Sequence, residues 1–267
     1  MNANTQAVAT EPLLLRHDAG GVVTLTLNRP AQFNSLSRSL MSELQGELDR
    51  IAADAGTRVL VLAGAGKAFC AGHDLKEMRS NPAKEFQRAL FGQCSKLMLT
   101  LVRMPQPVIA RVHGIATAAG CQLVSMCDLA VASDNSRFAV SGVNLGLFCS
   151  TPSVGLARNL GRKQALEMLL TGDFIDAQTA LARGLVNRVV PLEQLDAEIK
   201  KLTDSILAKT PVAIRAGKQM FYRQLEMGLD EAYELANEVM ACNMMAEDAQ
   251  EGIDAFVAKR KPQWKGR

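Results

Sequence analysis

The residues of this chain that could do chemistry are few, and the strongest set is backbone rather than side chain. Ala116 to Gly120 is a run of small residues, and Cys121 to Met126 behind it is apolar on nearly every side, as a buried helix is. A small-residue turn at a helix start lets a substrate approach the backbone closely. The positive end of the helix dipole then faces any developing negative charge. One such N–H donor is typically worth about 10²–10³ in rate when the charge is an oxyanion. Tight helix–sheet packing would call for the same small residues, and the local sequence weighs the two readings about evenly. Among side chains, the histidines are His17, His73 and His113, and the cysteines stand at 70, 94, 121, 127, 149 and 242. There is no C-x-x-C pair and no His at ligand spacing, so no metal site is expected.

The elements that must position that turn alternate. Val22 to Leu27 has the period of a half-buried strand, ended by Asn28-Arg29-Pro30. A helix follows to about Ala53, capped by Ser35 or Ser37, with Leu40, Met41, Leu44, Leu48 and Ile51 on one face. Val59 to Ala63 is a continuous apolar run of strand length, buried on both faces. A helix is expected over 83–102, a strand over 108–112, and short strands over 129–132, 138–140 and 185–190. The class is α/β with mostly parallel pairing. From about Asp196 to Val257 three or four amphipathic helices are expected, and their methionines at 220, 227, 240, 244 and 245 suit a core or subunit interface.

Composition narrows the function. A hydrophobic fraction of 48% supports a sizeable core, and a net charge of +3 with 4% aromatics argues against nucleic acid. No apolar run reaches membrane-spanning length. Met1 to Pro12 shows no targeting pattern, and with free thiols this gives the expectation of a cytoplasmic protein.

Five segments occur in order: TLNRPAQFNSL (26–36), GKAFCAGHDLKEM (66–78), PVIARVHGIATAAGCQLVSMCDLAVAS (107–133), LTGDFIDAQTALARGLVNRVVP (170–191) and EGIDAFVAKRKPQWKG (251–266). Together they resemble the successive signatures of the crotonase (enoyl-CoA hydratase/isomerase) family. The runs ATAAGCQLV and GLFCSTP narrow the resemblance to one subgroup.

The resemblance implies a crotonase-like spiral of ββα turns over 13–195, carrying an acyl-CoA site, after a flexible leader at 1–12. It also implies a helical oligomerisation region over 196–267 that assembles homotrimers or dimers of trimers. Coenzyme A enters as part of the substrate, with no covalently bound cofactor, nucleic acid or membrane partner. Two backbone N–H groups, of His73 in AGHDL and Ala119 in AAGCQ, would form an oxyanion hole for a thioester enolate. Ala31, Phe33, Ala71, Asp74, Leu75 and Lys76 match segments flanking the CoA, and Lys259 in the tail could reach its phosphates. As a bare sequence feature, the KRK cluster is more often a solvated basic end. The His73 imidazole could touch the thioester or point to solvent, and the solvent reading is the stronger one. His113 is read as structural, and His17 is placed in the leader.

By the same resemblance, a hydratase carries glutamates at two positions that are here Gln122 and Gly142. An amide cannot exchange a proton near neutral pH, and glycine offers no side chain. Each positioned acid or base contributes about 10²–10⁴, so efficient hydration is not expected. The carboxylate of the dienoyl-CoA isomerase branch falls at Ser150. Cys149 or Ser150 could in principle attack a thioester, but no base is placed to activate either. The stronger reading is that Ser150 or Thr151 caps a helix starting near Pro152. Two functions remain: an isomerase, lyase or other enzyme on acyl-CoA using the hole, or a non-catalytic acyl-CoA-binding protein. The absent carboxylate at Gly142 predicts open space beside the thioester.

Overall fold

The computed structural model describes residues 11–267; most of the expected leader, Met1 to Thr10, lies outside them. Ten strands, β1 (Leu14–Ala19), β2 (Val22–Leu27), β3 (Val59–Gly64), β4 (Ala68–Cys70), β5 (Val108–Val112), β6 (Ile115–Thr117), β7 (Leu129–Ser133), β8 (Arg137–Ala139), β9 (Ile175–Asp176) and β10 (Arg188–Val190), form two sheets. One sheet runs β1-β2-β3-β5-β7-β10 and the other β4-β6-β8-β9. Every pairing from β2 to β10 in the first sheet is parallel, as are β4–β6 and β6–β8. The pairs β3–β4, β5–β6 and β7–β8 therefore each give one strand to the first sheet and the next to the second before a helix follows. That is a ββα spiral.

Eleven helices complete the described residues: α1 (Arg38–Ala53), α2 (Leu75–Ser80), α3 (Lys84–Arg103), α4 (Ala119–Met126), α5 (Ser150–Asn159), α6 (Arg162–Thr171), α7 (Ala177–Arg183), α8 (Leu195–Leu207), α9 (Pro211–Gln224), α10 (Leu229–Met244) and α11 (Glu247–Val257). Strand β3 is buried at every position because its two faces meet different layers. Leu60 and Leu62 join the core of α1, α3 and α4, whereas Val59 and Val61 meet Leu195, Ile199 and Leu202 of α8. The Ser37 hydroxyl accepts from Leu40 N–H at 3.2 Å and starts α1.

Some expectations shift. Residues 14–19 form β1 and place His17 in a strand, whereas the sequence reading left it in the leader; its nearly all-exposed pattern hides any period-two signal. The strand expected over 185–190 shrinks to Arg188–Val190, because α7 ends at Arg183 and Leu185 N–H still bonds back to Ala180 O.

Helix α9 is fastened to the core by one buried cation. Lys218 Nζ donates to Leu101 O and Gln106 O, both at 2.8 Å, and meets Asp128 at 2.7 Å, which matches its three protons. Asp128 also accepts from the Tyr222 hydroxyl at 2.8 Å and Val108 N–H at 2.6 Å. Otherwise α9 and α10 have no buried residue and leave Phe221, Leu225, Leu229, Tyr233 and Met240 exposed.

Candidate functional site

The first part of the site is a brace between residues 29–36 and 64–74. Asn34 is fully buried; its amide donates to Ala65 O and Ala68 O at 2.8 and 2.7 Å, and its oxygen accepts from Arg29 N–H. The Arg29 guanidinium donates to Ser35 O at 2.6 Å and to Asp74 at 2.9 Å. Asp74 in turn caps α2 through Lys76 N–H and Glu77 N–H. Burial alone would raise its pKa, but Arg29 and the two amides together hold the carboxyl below its ordinary value.

Leu36 bridges this loop in parallel register: its N–H donates to Gly72 O and its carbonyl accepts from Asp74 N–H. In such a bridge the facing residue, His73, turns its own N–H to the opposite side. That N–H has no acceptor among the described residues.

The second part is the turn from β6 into α4. Ala118 sits at φ 50°, ψ −120°, a conformation costly for a residue with a Cβ. It is pinned there by its N–H bond to Ala139 O at 3.0 Å. Ala119 then opens α4, and its N–H, an orphan of the first helical turn, also has no acceptor among the described residues. Gly120 explains the closeness of the two parts: a Cβ there would lie 2.0 Å from Cys70 O, so only glycine lets α4 rest on β4. A Cβ built on Gly72 would stand 3.2 Å from Ala119 N. The His73 and Ala119 segments are therefore neighbours, 46 positions apart in sequence.

The polar side chains of Thr117, Gln122 and Ser141 near the turn into α4 carry no charge. Gln122 is 4% exposed, and its Oε1 is buried without a hydrogen-bond partner. The Thr117 and Ser141 hydroxyls pair at 2.9 Å. The His73 imidazole stands edge-on to Phe91 of α3, centroids 5.5 Å apart, and both ring nitrogens are buried and unpartnered. That departs from the solvent-facing imidazole expected from sequence. Its pKa is lowered by burial; the Leu36 carbonyl offsets part of this without meeting hydrogen-bond geometry. Burial pushes the Cys70 and Cys121 thiols up to about 12, and raises Cys149 against a partial offset from Gly142 N–H. None of these thiols is activated as a nucleophile.

Gly142 overturns the expectation of open space. A Cβ there would lie 2.6 Å from both Cys149 Sγ and Leu147 O. The volume is taken by the sulfur and by the turn through Leu147, whose N–H bonds Gly142 O at 2.9 Å. Phe148 is not the filler; it is exposed. The cap expected at Ser150 or Thr151 is also corrected. Cys149 is the N-cap with no side-chain bond, and Ser150 Oγ instead faces Phe148 O at 3.4 Å.

Of the expected CoA-flanking residues, Ala31, Phe33, Ala71, Asp74, Leu75 and Lys76 come together along the brace. Ala71 N–H bonds Phe33 O at 2.9 Å, and the side chains of Phe33 and Leu75 are 52% and 51% exposed on the rim. Lys259 does not join them within one chain. It is exposed just past α11 at φ 55°, while adjacent Arg260 is paired with Glu251. His113 Nε2–H donates to Gly66 O at 2.8 Å, a loop contact in keeping with a structural role. The sequence reading missed Arg29 and Asn34; their signal was present as turn residues in NRPAQFN, but not their partners.

Two sheets wound in ββα passes, with two N–H groups that lack acceptors among the described residues on neighbouring segments beside a helix start, define an α/β spiral with a donor-lined site. The description enoyl-CoA hydratase/isomerase belongs to the family model that matches residues 17–267. Enoyl-CoA hydratase domain-containing protein 3, mitochondrial, of Xenopus laevis is 46% identical over 253 residues, 95% of this chain and 86% of the relative. A crystal structure of an enoyl-CoA hydratase from Mycobacterium smegmatis is 57% identical, with a TM-score of 0.94, over 95% of this chain and 99% of that one. That of human enoyl-CoA hydratase domain-containing protein 3 is 43% identical, with a TM-score of 0.92, over 95% and 100%. The chain belongs to the enoyl-CoA hydratase/isomerase, or crotonase, family.

The relatives also correct the expected compartment. The Xenopus and human proteins are named mitochondrial, against the cytoplasmic expectation. Unpaired thiols report a reducing environment and do not say which compartment supplies it.

Proposed function

We propose that this protein binds an acyl-CoA thioester with its carbonyl oxygen between the N–H groups of His73 and Ala119, and that efficient hydration is not its reaction. The carrying observation is the pair of unsatisfied N–H groups, one at a helix start, brought together by Gly120. Preorganised donors of this kind favour an enolate oxygen over the ground-state carbonyl. Isomerase, lyase or related acyl-CoA chemistry fits a site that keeps such donors. The rim of Ala31, Phe33, Ala71, Leu75 and Lys76 is where the CoA would lie.

Two features argue against hydration. Gln122 has an amide where a proton donor is required, and the space at Gly142 holds Cys149 Sγ and the Leu147 carbonyl. The second feature also supports the alternative, a non-catalytic acyl-CoA-binding protein that retained the scaffold. The exposed apolar faces of α9 and α10 support assembly through the C-terminal helices, as homotrimers or pairs of trimers.

Isotope-edited infrared spectroscopy of a thioester labelled at the carbonyl tests the reading. Two N–H donors should lower the carbonyl stretching frequency on binding. A bound thioester whose carbonyl absorbs as it does in buffer would overturn the role of His73 and Ala119.

A further inference from the structure

Resting on the thioester reading above, we propose that the acyl group this site selects carries a second carbonyl. The ligand is a 3-oxoacyl-CoA, and the oxygen on its C3 is received by the Gln122 amide. Three observations carry this. First, the Gln122 carboxamide has no hydrogen-bond partner among the described residues; Oε1 is shielded from water, and Nε2 is the polar end left in contact with it. Buried polar groups rarely stay unpaired without a ligand or function. Second, Gln122 lies one turn behind Ala119 on the same face of α4, and helical side chains lean toward the helix start. The amide is thereby carried toward the Ala119 N–H. Third, the half-buried hydroxyls of Thr117, two residues before Ala119, and Ser141 share one bond of 2.9 Å. Two hydroxyls with one bond between them keep a proton to give.

The site therefore offers donors beyond the two backbone N–H groups, and none of these three side chains is charged. A carboxylate at 122 or 142 would repel a second electron-rich oxygen, whereas neutral donors beside the positive end of α4 attract one. A saturated or enoyl chain gives the Gln122 amide nothing to bond, and covering it with hydrocarbon costs affinity. A carbonyl on C3 accepts from Nε2 and lies three bonds from the thioester carbon, which places its oxygen beside the first. C2 then stands between two carbonyls, so charge that builds on one oxygen is shared with the other, and the donors on both act together.

The test is isothermal titration of the full chain with acetoacetyl-CoA and butyryl-CoA, which have the same length and differ only at C3. Acetoacetyl-CoA should bind about tenfold more tightly, the worth of one hydrogen bond made to an otherwise unpaired amide. Gln122→Met keeps the length and loses both polar ends, so the ratio of the two affinities should fall to about one. Equal affinities in the wild type, or an unchanged ratio in Gln122→Met, overturn the inference and leave thioester binding standing. Tighter binding of 3-hydroxybutyryl-CoA than of acetoacetyl-CoA also overturns it, because the amide would then be acting as an acceptor. A wild type that binds none of the three overturns the thioester reading and the inference together. If Gln122→Met folds poorly, Gln122→Glu at about pH 8, where the carboxyl is ionised, decides: a lowered ratio supports the assignment, and an unchanged one rejects it.

Discussion

Gly142→Ala is expected to destabilise the protein by about 1–3 kcal/mol, the range for forcing a methyl group into filled space. The new Cβ would stand 2.6 Å from Cys149 Sγ and 2.6 Å from Leu147 O, where ordinary contact begins at 3.4 Å. The thiol can turn away. The carbonyl is less free, because Leu147 is tied to Gly142 by its own N–H bond of 2.9 Å. The two clashes can therefore be separated by a double-mutant cycle with Cys149→Ala. Removing the sulfur should relieve part of the strain, so the two substitutions together should destabilise by about 0.5–3 kcal/mol less than their sum. Urea unfolding followed by circular dichroism, at one fixed protein concentration, measures all four proteins. An unchanged midpoint for Gly142→Ala would mean the volume beside residue 142 is free after all, and strict additivity would mean the clash lies with the Leu147 carbonyl and not with the sulfur. The functional corollary is that Gln122→Glu with Gly142→Glu gains no hydration of crotonyl-CoA, since the second carboxylate has nowhere to stand. A gain of hydration would show that the site is only disarmed and has kept its shape.

Other outcomes follow from single contacts. Lys218→Met should cost about 3–5 kcal/mol, since it leaves the Asp128 carboxylate half-paired beneath α9; a loss below 1 kcal/mol in urea unfolding would rule out the clamp. Gln122→Met should leave the ligand-free protein as stable or more so, because it removes an orphaned acceptor; a fall beyond about 1 kcal/mol would reveal a hidden partner. Ala118→Gly should stabilise by about 1 kcal/mol by relieving the positive φ, read as a raised unfolding midpoint.

His73 sets an acid limb in stability. Its folded pKa lies below the ordinary 6.5, so as pH falls through 6.5 the unfolded chain takes up the proton first and stability drops. The loss is absent at higher pH and levels off below the folded pKa. Phe91 stands edge-on to this ring, and Asp74, the next residue in sequence, is paired with Arg29. His73→Asn should flatten this limb of the denaturation-midpoint profile, and an unaltered limb would place its origin elsewhere.

Much of the scaffold was written in local pattern. The alternation of VVTLTL, the apolar run VLVLA and the Ser37 cap mark elements that the structure forms within a residue or two, because period and capping are properties of neighbouring residues. The ordered signatures likewise named the family, and the small residues 116–120 marked the turn into α4. Strand β1 escaped because its side chains face solvent and leave no periodic trace.

What tertiary structure alone decided lies between distant segments. No local rule tells that the backbone of His73 will meet that of Ala119, since the meeting depends on α4 resting on Cys70 O through Gly120. Nor does it tell that Asn34 and Arg29 hold the loop. Sequence showed that residues 122 and 142 are not glutamates, and from that alone an open space was inferred. The folded chain fills that space with Cys149 and Leu147, because close packing leaves no void where a neighbouring chain segment can reach. It also turns the His73 imidazole inward, away from water, where its two nitrogens have no partner of their own.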